Sequence, residues 1–250
     1  MSAQDAPQGN AQALSSRLYG RLMGLDARKL ATGSDADHAP ALGDVMYYAY
    51  RKGFGPRVRG LAFGRRLRSC GGRFFVGRST NILFPSRLSV GANVAIGDYV
   101  YLNCYGKSGV TLGNNVRIRE WGWVQVTSHL THPGEGLTVG DGTYIGPHCV
   151  LGAGGGIAIG RDVTCGAYVQ LLAEDHAFSD PQAPINEQGV TRRGIEIGDG
   201  CWLGNGVIVL DGVHVGAGAV IGAGAVVTRD VAAGAVAVGN PARVVRRRAS

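Results

Sequence analysis

A six-residue repeat limits what this chain can fold into more than any other feature. From Leu88 onward, each hexad opens with an aliphatic residue that is usually followed by glycine, as in "VGANVA", "IGDYVY" and "LGNGVI". A period of six is neither the 3.6 residues of a helical turn nor the alternation of a long strand. It indicates short strands joined by tight turns, in which glycine, asparagine or aspartate takes the positive φ that such turns need. The 42 glycines among 250 residues agree with many turns of this kind.

The opening residues of the hexads fall into groups of three. The register is Val90, Ile96, Leu102; Leu112, Ile118, Val124; Val139, Ile145, Leu151; Ile159, Cys165, Leu171; and then, without a break, Ile197, Leu203, Val209, Val215, Ile221, Val227. Before that final run, every interruption follows a completed group. Three hexads per coil therefore predict an all-β solenoid of about six triangular coils, stacked roughly 4.8 Å apart, with all four insertions at one corner.

Insertions that share one edge usually form the binding face of a repeat protein. The largest insertion, residues 173–194, contains His176, and the second, residues 125–136, contains His129 and His132. These two loops are the predicted functional face of the solenoid.

The repeat divides the chain into three predicted parts. Residues 1–69 form a helical, basic N-terminal extension, with helical patterns over 12–31 and 40–53. Residues 70–232 form the solenoid, and residues 233–250 leave the repeat and form a basic tail.

The positive charge of the chain, +7 overall, is concentrated near the N-terminal extension. No acid occurs between Val45 and Gly97, whereas ten basic residues do: Arg51, Lys52, Arg57, Arg59, Arg65, Arg66, Arg68, Arg73, Arg78 and Arg87. The region 51–87 is either a solvated basic face or a surface that meets anionic lipid or acidic polysaccharide. No nucleic-acid-reading motif accompanies the charge, so nucleic acid is not an expected partner.

The cysteines and the N-terminus bear on location. The five cysteines include no CxxC pair, and Cys149, Cys165 and Cys201 fall where the repeat needs a small apolar residue. Reduced, buried thiols are therefore expected, as in a reducing cytoplasm. No secretory signal or membrane span is recognisable. The sequence predicts a cytoplasmic protein, with the inner face of the membrane as the alternative location.

Several motifs together resemble the hexapeptide-repeat acyltransferases. They are the hexads, the loop "EDHAFSDPQAPI", the run "IEIGDGCWLGNGVIVLDGVHVGAGAVIGAGAVVTRDV" and the closing "GNPARVVR". The resemblance covers about residues 70 to 247 and is closest to acetyltransferases that act on sugars, such as those that modify bacterial surface polysaccharides. It implies a left-handed parallel β-helix, a homotrimer, and acetyl-CoA bound between neighbouring subunits. The left hand follows from the resemblance alone, because crossovers are usually right-handed.

The resemblance assigns a catalytic role to the largest insertion. In the family, a histidine at the base of the protruding loop takes the proton of the acceptor, and His176 is the matching position. Histidine suits this role because its unperturbed pKa, about 6.5, lies near neutrality. A neighbouring carboxylate would fix the tautomer of the ring. The candidates are Glu174, Asp175 and Asp180, among which the sequence does not choose.

The resemblance also implies positions that contact the acyl donor. Main-chain contacts to the thioester arm fall at Asn205 and Ala223, where a backbone N–H could stabilise the developing oxyanion. Many relatives have alanine or serine at the position of Asn205. Trp202 either lines the cleft or belongs to a trimer contact. Matches near the pantetheine or the phosphates, where arginine suits bidentate contact, are Thr228, Arg229, Arg243 and Arg246.

Aromatic and polar residues before and within the second loop suggest an acceptor site. The candidates are Trp121, Trp123, His129 and His148; the alternative is a surface loop with ordinary histidines. Gly146 stands where galactoside acetyltransferases carry an asparagine that touches the acceptor. This departure indicates an acceptor other than a simple galactoside.

The predicted function is transfer of an acetyl group from acetyl-CoA to a saccharide hydroxyl by direct attack, with no metal. The acceptor is a surface polysaccharide, a glycolipid or a sugar precursor. Alternatives within the family are N-acetyl transfer to an amino sugar and use of a longer acyl-CoA. A γ-class carbonic anhydrase would need three histidines around zinc, and the HxxH of His129 and His132 does not match that pattern. A trimeric β-helix that serves only as a scaffold is the non-enzymatic alternative.

Overall fold

The computed structural model describes residues 42–127 and 129–248, which divide into two compact units with a sequence boundary after Arg59. The first unit contains helix α1 (Leu42–Ala49), a π-helical turn (Tyr50–Phe54) and the start of helix α2 (Gly55–Gly64), which continues into the second unit. The widened turn ends just before Pro56, which has no N–H to continue an α-helical ladder. The helical pattern predicted over 40–53 falls on α1 and this turn, whereas the one over 12–31 lies outside the described residues.

The second unit is built from three sheets through which the chain winds in turn, and all their strands pair parallel except the last one (Arg243–Arg247). The first sheet contains β1 (Ser69–Cys70), β4 (Leu88–Val90), β7 (Gly106–Leu112), β10 (Gly134–Val139), β13 (Ile157–Ile159), β18 (Ile195–Ile197) and β21 (His214–Val215). The second contains β2 (Phe74–Val76), β5 (Val94–Ile96), β8 (Arg117–Ile118), β11 (Tyr144–Ile145), β14 (Thr164–Cys165), β19 (Trp202–Leu203), β22 (Val220–Ile221), β24 (Ala235–Val238) and β25 (Arg243–Arg247). The third contains β3 (Asn81–Leu83), β6 (Tyr101–Asn103), β9 (Trp123–Gln125), β12 (Val150–Gly152), β15 (Gln170–Leu172), β20 (Ile208–Leu210) and β23 (Val226–Val227).

One strand from each sheet makes one coil, and the opening residues of the hexads point inward. Leu102, Leu171 and Val209 are fully buried, and the same position pairs from coil to coil, as in Leu151 with Leu171. The predicted all-β solenoid is thus confirmed as a parallel β-helix of three-sided coils. Among the described residues, seven coils are complete, one more than the register from Val90 counts. The additional coil, β1 to β3, precedes that register by one period of 20 residues.

We call the turns between the sheets the first, second and third corners, in chain order. The first joins the first sheet to the second, the second joins the second sheet to the third, and the third leads to the next coil. Every insertion lies between a third-sheet strand and the following first-sheet strand. The prediction that all insertions leave from one corner is therefore confirmed.

Polar side chains at the first two corners tie successive coils together. The third residue of a hexad is often Asp or Asn, and its Oδ1 accepts a hydrogen bond from the backbone N–H at the same position in the preceding coil. The pairs are Arg78 with Asp98, Ala92 with Asn114, Asn114 with Asp141, Arg161 with Asp199 and Ala167 with Asn205, at 2.7–2.8 Å. We call this series the acceptor ladder.

The chain beyond Ala232 continues the second sheet instead of leaving it. Strand β24 pairs parallel with β22, and β25 then returns antiparallel to β24 as the last strand of that sheet. The predicted basic tail, residues 233–250, is therefore largely two strands over its described part. Across residues 42–127 and 129–248, no helix is long and apolar enough to cross a membrane.

Candidate active site

The loop that carries His176 is a short hairpin fixed at its root. Strands β16 (Asp175–His176) and β17 (Val190–Thr191) pair antiparallel, with His176 opposite Val190. Beyond the hairpin, the Gln188 side chain accepts a bond from the Asp180 N–H and donates to the Asp180 carbonyl, at 2.9 and 2.8 Å. The loop therefore has a defined structure of its own, although its tip is exposed.

Two carboxylates hold the root of the loop. Glu174 pairs with Arg192, with 2.6 Å between Oε2 and Nε, so the outgoing and returning strands are linked. Asp211, whose side chain is 2% exposed, accepts backbone N–H bonds from Arg193 and Gly194 at 2.8–3.0 Å. Both ends of the loop are thereby anchored to the solenoid.

His176 lies exposed directly beside this anchored root. None of the hydrogen bonds between residues that the structure describes engages its ring. Of the three predicted orienting acids, Glu174 binds Arg192 and Asp180 accepts from the Gln182 N–H at 2.8 Å. Asp175 is exposed next to His176 in the same strand. The structure thus places an available imidazole on a rigid base, with two of the three carboxylates used elsewhere.

Asn205 and Ala223 lie together at the second corner of consecutive coils, where the Gly224 N–H donates to the Asn205 carbonyl at 2.9 Å. The acceptor ladder ends at Asn205, because Ala223 has no side-chain oxygen. In the described part of the chain, the N–H groups of Asn205 and Ala223 have no acceptor. Gly204 permits this close stacking, since a Cβ there would lie 2.6 Å from the Ala223 nitrogen. Two outward N–H groups one coil apart can bind a carbonyl or another anionic oxygen.

The predicted donor residues fall into two groups. Trp202, 55% exposed on the outer face of the second sheet, lines a cleft together with Asp162, Thr164, Val220, Arg246 and Arg248. Arg243 begins the same last strand as Arg246, at its opposite end. Thr228 and Arg229 follow β23 at the third corner and are exposed. The structure brings Trp202 and Arg246 together, and it places Thr228 and Arg229 at a different edge.

A stack of exposed rings runs along the second corner. Trp121 stacks on Tyr99 with ring centroids 4.2 Å apart, His148 follows at 6.2 Å, and Tyr168 lies 4.8 Å from His148. All four residues have φ between 58° and 62°. This left-handed conformation destabilises a bulky residue by roughly 1–2 kcal/mol, whereas a stacked pair of rings stabilises by about 0.5–1.5 kcal/mol. We call these four residues the aromatic stack.

Of the four predicted acceptor residues, the structure unites only Trp121 and His148. Trp123 lies on the outer face of the third sheet, where it stacks with Tyr101 at 6.2 Å. His129 is exposed in the second loop, at the third corner. Gly146 has a packing reason, because a Cβ there would lie 2.4 Å from the Gly166 carbonyl oxygen.

Sequence reasoning missed the other two members of the stack and the anchors of the loop. Tyr99 and Tyr168 are the fourth residues of the second hexads in their coils, as are Trp121 and His148. Alignment of the hexads coil by coil, instead of along the chain, would have found the series. The partnership of Glu174 with Arg192 had no such signal, because it depends on the path of the loop.

The comparisons with known proteins agree with this architecture. The model of the bacterial transferase hexapeptide family (six repeats) matches residues 194–229. The chain carries the hexapeptide repeat of bacterial transferases, and the resemblance to the hexapeptide-repeat acyltransferases is confirmed.

Its relatives include nodulation protein L of Rhizobium meliloti (strain 1021), 41% identical over 113 residues, which are 44% of this chain and 60% of that protein. A probable acetyltransferase of Mycobacterium tuberculosis (strain ATCC 25618 / H37Rv) is 34% identical over 129 residues, 50% of this chain and 43% of that protein. The matched region thus spans about half of the length of these relatives.

Among solved structures, the chain is similar to the N-acyltransferase AntD from Bacillus cereus in complex with dTDP and 3-hydroxybutyryl-CoA. The TM-score is 0.54 at 18% identity, covering 76% of this chain and 88% of the other. This likeness supports the fold. No group of three or more metal-binding side chains occurs among the residues with described positions.

Proposed function

We propose that this protein transfers an acetyl group from acetyl-CoA to a hydroxyl of a saccharide, with His176 as the general base. The observation that carries the proposal is the exposed His176 imidazole, which is held on a hairpin whose root is fixed by Glu174 and Asp211. A hydroxyl is a poor nucleophile unless a base takes its proton, and such assistance typically gives 10² to 10⁴ in rate. The similarity to a probable acetyltransferase supports the acyl class.

The proposed reaction uses two sets of groups. His176 accepts the proton of the acceptor hydroxyl, whose oxygen attacks the thioester carbonyl. The unpaired N–H groups of Asn205 and Ala223 donate to the carbonyl oxygen as it gains negative charge. The carbon–sulfur bond then breaks, and the imidazolium returns the proton to the departing thiolate. Arg246, which lies on the last strand and lines the same cleft as Trp202, can bind a phosphate of the donor.

We further propose that the site is completed between subunits of a homotrimer. The His176 loop leaves the third sheet at the edge where its strands end, whereas Asn205 and Ala223 lie where the strands begin. One face of the solenoid therefore separates the base from the N–H groups within one chain. A neighbouring subunit could bring the two edges together, as the resemblance implies.

The experiment is a panel of acyl-CoA donors against saccharide and amino-sugar acceptors, with free thiol release as readout. We expect acetyl transfer to a hydroxyl, and we expect His176→Ala to lower kcat by about 10²-fold or more while the protein still binds CoA. His132→Ala, a histidine of the second loop, is the matched control and should keep its rate. Near-wild-type turnover of His176→Ala, or turnover with amines alone, would contradict the proposal.

We also propose peripheral attachment to an anionic membrane. In the first unit, Tyr50, Phe54 and Val58 follow helical spacing and are 57%, 60% and 51% exposed. Arg51 and Lys52 add positive charge beside them, and an exposed apolar face flanked by cations suits an interfacial helix. Sedimentation with phosphatidylserine vesicles should exceed that with phosphatidylcholine vesicles, and Phe54→Ser should reduce it. Equal sedimentation with both would contradict this attachment.

A further inference from the structure

The second corner departs from the residue choice that its geometry favours. From Val90 to Gly224, the fourth residue of each hexad at the first two corners takes a positive φ, which Gly, Asn and Asp tolerate best. The first corner follows this rule in successive coils, with Asn93, Asn115, Gly142, Asp162, Gly200 and Gly218. The second corner has the aromatic stack in four consecutive coils instead. Folding alone does not require rings there, since the first corner turns without them.

The aromatic stack ends at the predicted thioester site. The next two coils have Gly206 and Gly224 at the same corner position, so no ring covers the upper face of Tyr168. A Cβ on Gly206 would have only the Gly224 nitrogen near it, at 4.0 Å, and one on Gly224 would meet nothing within 4 Å. The space above Tyr168 is therefore open over two coils.

The rim of this open space is polar. Asn205 precedes Gly206, and its Oδ1 is held by the Ala167 N–H at 2.8 Å. Because a backbone N–H can only donate, that atom is the oxygen, and Nδ2 keeps its two hydrogens for another acceptor. No acceptor for Nδ2 occurs within the described ranges, and the Asn205 N–H is likewise unpaired.

We infer that the open face of Tyr168 is the stacking subsite for a pyranose ring of the acceptor, a conclusion that rests on the proposed acetyl transfer. A pyranose has an apolar face of axial C–H groups that suits an aromatic ring, and a rim of hydroxyls that suits the Asn205 amide. The rings of His148 and Tyr168 lie 4.8 Å apart, so the stack already accommodates one planar group per coil. A sugar on Tyr168 would occupy the next step, beside the N–H groups of Asn205 and Ala223. Tyr168 is thus a positioning residue for the acceptor.

The test replaces the ring with the residue that the first corner uses. Tyr168→Asn keeps a residue suited to positive φ and removes only the platform, whereas Tyr168→Phe keeps the platform. We expect Tyr168→Asn to raise the KM for the saccharide about fivefold to tenfold. The KM for acetyl-CoA should not rise, and the Tm should not fall. Tyr168→Phe should stay near the wild type.

Tyr99→Asn is the matched control, because Tyr99 forms the opposite end of the stack, four coils from Asn205. It has the same residue type and the same sign of φ, and it should leave the KM for the saccharide unchanged. Equal effects of Tyr168→Asn and Tyr99→Asn, or no effect of either, would overturn the inference. An effect on the KM for acetyl-CoA alone would also overturn it, by assigning the platform to the donor.

The wild-type protein separates this inference from the proposed function. If the wild type transfers no acetyl group to any saccharide, the proposed function fails. If it does so and Tyr168→Asn retains the wild-type KM, only the subsite fails. Nucleotide-linked and free saccharides are assayed in parallel. If the effect of Tyr168→Asn appears only with the nucleotide-linked saccharide, a nucleobase, not a sugar ring, stacks on Tyr168.

Discussion

Four of the five cysteines are buried in the solenoid, and burial keeps them protonated. It raises the pKa of the Cys104 thiol to about 12 and that of Cys149 to about 11. Burial also raises the pKa of Cys165 and Cys201, while Cys149 and Cys201 lie 3.2 Å from the Gly166 and Gly216 carbonyls. Since the thiolate is the reactive form, these residues act as small apolar side chains. Cys70, in the first coil, is exposed.

We therefore expect iodoacetamide at about pH 8 to modify Cys70 alone in the folded protein. Mass spectrometry should find one adduct per chain, and five after denaturation. Cys70→Ser should show none while folded. Labelling of Cys165 in the native protein at the rate of Cys70 would contradict the buried assignment.

The backbone N–H of Ala223 can be removed with little disturbance of the turn. Pro147 occupies the equivalent place three coils earlier in the second-corner series, between Gly146 and the left-handed His148. Proline is thus compatible with this turn, and Ala223→Pro should fold normally. We expect it to lower kcat/KM for acetyl-CoA by about 10²-fold, the effect of losing one oxyanion donor.

Ala223→Ser, which keeps the N–H, is the companion variant for steady-state kinetics. Its rate should stay near that of the wild type. An Ala223→Pro protein with full activity would show that this N–H does not contact the thioester.

The acceptor ladder joins successive coils through side chains, and one exposed member, Asp199, makes stability depend on pH. The N–H of Arg161 and its guanidinium both donate to Asp199, and these bonds lower the pKa of that carboxyl below its usual range. A lowered pKa in the folded state means that the carboxylate stabilises the fold above the pKa of the unfolded chain. This contribution disappears as the pH falls through the folded pKa.

Asp199→Asn retains an Oδ1 acceptor for the Arg161 N–H but loses the charge. We expect its Tm to lie below that of the wild type at neutral pH, and the gap to close only as the pH falls through the lowered pKa of the wild-type carboxyl. Thermal denaturation followed by circular dichroism at several pH values measures the gap. A gap that stays constant from neutral to acidic pH would assign the effect to packing instead of charge.

The hexads predict the strands well because each one fixes two inward side chains and one tight turn. For residues 90 to 227, the register predicted from the hexads and the predicted corner of the insertions therefore agree with the structure. The hexads do not predict the structure of the tail. Strand β24 continues the second sheet without the repeated aliphatic–glycine pattern, and β25 reverses direction. Nor do they predict contacts within the loop, since the pairing of Glu174 with Arg192 depends on how residues 173–194 close on themselves.

The site itself was only partly predictable. His176 follows from a motif, but the availability of its ring depends on contacts that direct Glu174 and Asp180 elsewhere. The free N–H groups of Asn205 and Ala223 likewise depend on which coil lacks an Asp or Asn oxygen. The roles of such groups follow from the stacking of coils, which one hexad does not contain.

If His176 is the base, its position and that of the Asn205 and Ala223 N–H groups at opposite edges of one face predict complementation between inactive chains. In a trimer, His176→Ala subunits would still supply Ala223, and Ala223→Pro subunits would still supply His176. Random mixing of equal amounts of the two variants should restore about a quarter of the wild-type sites, because each site needs one particular neighbour.

The measurement refolds the two variants together and compares acetyl transfer with that of each variant alone. A mixture of wild type and the double variant His176→Ala, Ala223→Pro provides the reference for dilution. No recovery in a mixture that forms trimers would place the base and the N–H groups in one chain.

The antiparallel return of β25 has a consequence for how long such a protein can grow. A stack of parallel coils has no intrinsic end, and an uncovered final strand offers its N–H and C=O groups to the first coil of another molecule. Here the second sheet closes with a strand that runs the wrong way for another parallel coil and carries Arg243, Arg246 and Arg247 on its exposed residues. Head-to-tail fibres would have to bring the arginines of β25 against the basic region 51–87 of a second chain. We therefore expect the arginines of β25 to oppose head-to-tail association of the solenoids.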